Sequence, residues 1–127
     1  MINFKEIMLK NLSKINVVHS IPGRIRLKVP FLDKVPPNYR LYDNYILEAI
    51  KVLHGVENLS INYVLGTALI TYNTEKVYEQ KILNWIDEIV NVCINNLHLF
   101  EKYGETNLKY VVGTLEHQLK DKVKMYN

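Results

Sequence analysis

The sequence predicts an α+β fold, a β-α-β-β-α core followed by an extra C-terminal amphipathic helix, and three observations predict it. Pro22-Gly23 is a turn pair, because proline presets φ and glycine accepts positive φ without steric cost; the chain then alternates strictly, Ile25, Leu27 and Val29 against Arg24, Arg26 and Lys28. Val56 to Tyr63 and Thr67 to Tyr72 form a second alternating pair across Leu65-Gly66, the signature of a hairpin. From Thr74 onward the apolar period lengthens to that of a helix.

The first strand is read over Arg24 to Val29, half-buried with a cationic outer face. Pro30 to Asn38 is a loop, since Pro30, Pro36 and Pro37 forbid regular pairing there. Asn38 is placed to cap a helix whose face carries Tyr42, Ile46, Ala49 and Leu53, and His54-Gly55 closes it. After the hairpin, Ile82, Ile86, Ile89, Cys93, Leu97 and Phe100 make one long helical stripe with Trp85 beside it, ended or interrupted by Gly104. Leu108, Val112, Leu115, Leu119 and Val123 describe the last helix, expected within 105–125. Before the first strand, Ile2, Ile7, Leu9 and Leu12 are compatible with a short helix. No fourth strand is legible after Phe100.

At 127 residues the chain is expected to be a single domain, 1–127, with its core over 15–100. A formal charge of +3 falls short of the clustered excess that argues for wrapping nucleic acid, and the basic strand has no aromatic residue for stacking bases. The single cysteine excludes an intramolecular disulfide or a Cys-x-x-Cys site, and fits the cytoplasm. Met1 to Lys14 has no uninterrupted apolar stretch of a secretory signal, and Ile82 to Phe100 is too polar to span a bilayer. Catalysis finds no support: there is no nucleophile elbow, phosphate-binding glycine loop or paired-histidine metal motif, and Asp87 and Glu88 point apart on a helix.

The element order is most of a ferredoxin-like β-α-β-β-α-β unit, and its joints resemble those of heavy-metal-associated domains, in their divergent, cysteine-poor branch. The residues that carry the resemblance are His19-Ser20-Ile21-Pro22-Gly23-Arg24-Ile25-Arg26, His54-Gly55-Val56, and Ile61 to Asn73 across the hairpin, together spanning about 17 to 98. The resemblance implies metal traffic, often beside a metal-transporting ATPase. Typical members carry Cys-x-x-Cys in the loop after the first strand, where thiolates hold a soft ion. Here that loop contains no cysteine, histidine or methionine, so copper-transfer chemistry does not carry over to it.

The remaining candidates form two groups. His19, entering the first strand, is a candidate metal or haem ligand, and Arg24, Arg26 and Lys28 a platform for propionate, phosphate or an acidic partner. Haem reconciles a metal-related family with missing thiols, since it needs one or two axial ligands, an apolar slot and basic contacts, with Ile21, Tyr63 and Tyr72 as candidate walls. A lost metal site leaves instead a structural or regulatory protein-interaction module. For that reading the apolar face of the last helix, Leu108, Val112, Leu115 and Leu119, is expected to bury itself against a second chain or across the sheet's edge. Cys93 and His98 lie about 140° apart on a helix and do not share an ion; His54 suits a helix C-terminus and His117 solvent.

Overall fold

The structure, a computed structural model, describes residues 15–30, 32–34, 43–104 and 106–127. Four strands, β1 (Asn16–Ile21), β2 (Arg24–Lys28), β3 (Val56–Asn62) and β4 (Thr67–Tyr72), form one antiparallel sheet in the order β1-β2-β4-β3. A 3-10 turn at Leu32–Lys34 follows β2, and four helices complete the described chain: α1 (Asp43–Lys51), α2 (Glu79–Asn95), α3 (Leu97–Tyr103) and α4 (Leu108–Val123). This α+β arrangement is consistent with the ferredoxin-like type. The expected N-terminal helix and the Asn38 cap lie outside the described residues.

One strand was not expected. The Pro22-Gly23 pair does not start the sheet but turns β1 into β2, with Gly23 at φ +84° and its carbonyl accepting from Tyr72 N at 3.0 Å. The fourth strand therefore precedes the others instead of following Phe100, and it occupies one edge of the sheet.

The helices cover a single face. Ile25, Leu27, Ala68, Ile70 and Tyr72 point into a core shared with Ile50, Leu53, Ile82, Trp85, Val92, Leu119 and Val123. Trp85, fully buried, sits at its centre: the indole N–H donates to Ala49 O at 3.0 Å, and the ring meets Tyr126 edge-on at 5.2 Å. A buried indole needs such a partner for its N–H. Ile50 is the buried residue of α1 and Leu53 is buried just beyond its end, whereas Ile46, expected on the buried side, is 44% exposed.

The long C-terminal stripe is broken earlier than Gly104. Asn96, the one buried polar residue among the described core positions, separates α2 from α3. Its amide donates to Val92 O at 2.7 Å and exchanges hydrogen bonds with the Gln118 amide at 2.9 and 3.2 Å, pinning the break to α4. Burial without such partners would be costly.

Helix α4 is capped by Asn107, whose Oδ1 accepts from Tyr110 N, and packs on α1, α2 and α3 of its own chain. The expectation was that its apolar side buries itself against a second chain or across the sheet's edge; within the described residues that side meets the chain's own helical layer. Val111, Leu119 and Val123 are buried and Leu115 packs against the core, while Leu108 and Val112 are half-buried. The buried side is thus centred one residue away from the Leu108-Val112 line. The chain end is also fixed: the Asn127 side chain accepts from His54 N at 2.9 Å and donates to Val52 O at 3.3 Å.

Candidate functional site

The alternation of β2 places Arg24, Arg26 and Lys28 on the face opposite the core, all three exposed. Register extends that face into three rows. Ile21, Arg24, Thr71 and Asn58 form the first, His19, Arg26, Leu69 and Ser60 the second, and Asn16, Lys28, Thr67 and Asn62 the third. Direct cross-strand neighbours have Cβ atoms roughly 4.5–5.5 Å apart, and residues two apart on a strand are about 7 Å apart. Three cations therefore lie within about 14 Å on an open surface bordered by hydroxyls and amides.

Among the described residues neither Arg24 nor Arg26 forms an ion pair. Lys28 is held differently, donating from Nζ to Leu65 O at 2.5 Å. The two guanidiniums present fork-shaped donor sets suited to carboxylates or phosphates. The sequence thus identified a group of side chains that the fold does bring together, His19 included.

His19 sits directly across from Arg26. A like charge one strand away opposes a bare metal cation at that imidazole, by Coulomb repulsion of a few kcal/mol at short range in a partly screened setting. A soft ion also lacks ligands elsewhere. Among the described residues no three His, Cys, Asp or Glu side chains come together in a way that could hold a metal ion. Cys93, half-buried on α2, has its thiol pushed up to about 11 by burial, which leaves it protonated and a poor ligand at neutral pH. His98 lies on α3 and His117 on α4, exposed, the latter 3.8 Å from Asp121. The residues described here do not fit a thiolate or polyhistidine metal site.

The proposed haem wall is likewise divided by the sheet. Ile21 shares the open face with His19, but Tyr72 is buried on the covered side, and Tyr63 donates its hydroxyl to Asp43 at the start of α1. Neither tyrosine lies beside His19. At the margin of β1, Ser20 donates to the Glu79 carboxylate, tying the edge strand to α2. A shallow groove of about 340 Å³ runs there, lined by Ile21, Tyr72, Val77 and Tyr78 among others. Sequence reasoning missed this groove because it depends on β1.

In comparison with known families, the family model described as heavy metal associated domain 2 matches residues 1–126. The match reaches well beyond the joints, over 17 to 98, that first carried the resemblance. No curated protein and no solved structure matches the chain.

Proposed function

The chain belongs to the heavy metal associated domain 2 family, and from that premise we propose that it is a non-enzymatic adaptor whose open sheet face docks an acidic partner. Membership supports a metal-associated role, while the described residues lack a soft-metal site. What supports docking is the row Arg24, Arg26 and Lys28, two of whose members are exposed without an ion-pair partner among the described residues. Complementary charge of this kind raises association rate and selects partners more than it adds raw affinity. An acidic patch on a metal-transporting ATPase is the partner class that the family suggests. No helix among the described residues is long and apolar enough to cross a membrane.

The test is a titration of the full chain with a glutamate-rich peptide at two salt concentrations. Binding is expected to weaken at least tenfold when Arg24→Gln and Arg26→Gln are combined, and to weaken with salt in the parent protein. Equal affinity in parent and double variant overturns the reading.

A second reading is favoured by one observation, the pairing of His19 with Arg26 on the same face: an imidazole for haem iron beside a guanidinium for a propionate. Hemin is then expected to give a sharpened Soret band that His19→Ala abolishes or shifts. Identical spectra and affinity in both proteins remove His19 as a ligand.

A further inference from the structure

The loop between β3 and β4 presents Val64 at 89% and Leu65 at 61% exposure. Turn geometry does not require apolar residues at these positions. Left-handed backbone in the loop is confined to Gly66, at φ +68°, and loops of this kind ordinarily hold Asn, Asp, Ser or Gly. Burial does not explain them either, because both side chains point away from the core.

The loop is nevertheless firmly held. Asn62 Oδ1 accepts from Leu65 N at 2.9 Å, Gly66 O accepts from Val29 N at 2.8 Å, and Lys28 Nζ donates to Leu65 O at 2.5 Å. The Tyr63 hydroxyl engages Asp43, the carboxylate that the loop touches. A fixed tip thus carries two neighbouring apolar side chains with an ammonium at its base. That combination is matched to a lipid headgroup boundary, where apolar side chains enter the acyl region and a cation meets anionic headgroups.

We propose that the β3–β4 hairpin tip is a peripheral membrane anchor that inserts Val64 and Leu65 into an anionic bilayer, with Lys28 at headgroup level. Size favours lipid over a protein pocket: two side chains supply a small fraction of the roughly 800 Å² per partner of a stable protein interface, whereas peripheral anchoring is assembled from a few apolar insertions and cations. Charge placement agrees. Along β2, Arg26 lies about 7 Å and Arg24 about 14 Å further from the tip than Lys28. With a screening length of about 8 Å at physiological salt, Lys28 and Arg26 feel the surface and Arg24 hardly does. An end-on orientation leaves the open face free.

The experiment is co-sedimentation of the full chain with vesicles of phosphatidylcholine alone and of phosphatidylcholine mixed with phosphatidylserine. The parent protein is expected to partition onto the mixed vesicles and to come off with salt. Combining Val64→Ser with Leu65→Ser is expected to lower partitioning about tenfold with an unchanged melting temperature, and Lys28→Gln about fivefold. Absence of sedimentation with either vesicle overturns the proposal. So does full retention by the serine variant, which would leave charge alone responsible. Loss of glutamate-peptide binding in the serine variant, with vesicle binding intact, also overturns it and makes the tip a protein contact.

Discussion

The two faces of one sheet stand in opposite surroundings. Ile25 and Leu27 on β2 are 0% and 4% exposed, and between and beside them Arg24, Arg26 and Lys28 stand in water. On the covered face every side chain is specified by its neighbours; on the open face register alone specifies position. Substitutions should therefore separate cleanly, with inward changes felt in stability and outward ones in binding.

The hardest test of that division is Trp85→Ala. It removes the central core side chain, leaves the Ala49 carbonyl without its indole donor and deletes the edge contact with Tyr126. A loss of about 3–5 kcal/mol is expected from the denaturation midpoint. A loss below about 1 kcal/mol would mean that the helical layer does not depend on its centre.

A smaller effect belongs to Cys93 and to alkaline pH. Its folded value of about 11 lies above the ordinary 9.0, so between these values the unfolded chain holds fewer protons than the folded one. Stability then falls as pH rises from about 9 to 11, by roughly 2–3 kcal/mol from this group. The comparison that isolates it is the pH slope of the parent against Cys93→Ala, which should be shallower over that range. Parallel slopes would place the thiol in contact with water.

Gly113 sharpens the contrast from the helical side. It lies in the middle of α4, facing out, and an added Cβ would meet nothing within 4 Å. Gly113→Ala is expected to stabilise by about 0.5–1 kcal/mol, because glycine in a helix interior is entropically unfavourable. A destabilisation would reveal a neighbour that approaches this surface. The smallest effect is expected at the open face: Arg24→Gln with Arg26→Gln should leave the thermal midpoint within about 1 kcal/mol of the parent while altering binding. A larger loss would make these arginines part of the fold.

The same division explains what could be read in advance. β2, β3 and β4 were legible because each alternates between a more buried and a less buried side. β1 was not, since Asn16 to Ile21 is exposed throughout and its register slips between Val17 and His19, so periodicity has no face to report. The helical stripes were legible as elements but misplaced by a residue or so: Val111 is buried where Val112 was expected, and Trp85 is the centre of the core and not its flank. Such rotations depend on tertiary neighbours, as does the break at Asn96, whose Gln118 partner is distant in sequence. The basic row needed only a strand assignment, whereas the place of His19 across from Arg26 needed β1 and the exposed hairpin tip needed the surface itself.

The origin of the edge strand has a kinetic consequence. β1 joins β2 through a two-residue turn, Pro22-Gly23, so its pairing closes almost no loop, while β2 and β4 must bring together positions as separate as Arg24 and Thr71. Loop-closure entropy slows the second kind of pairing far more than the first. The edge of the sheet can therefore assemble as a local hairpin before the long-range contacts exist. Completion of the sheet does not wait on the last segment of the chain. That segment is left to fold as a helix and to fasten the helical layer at the end, through Tyr126 and Asn127.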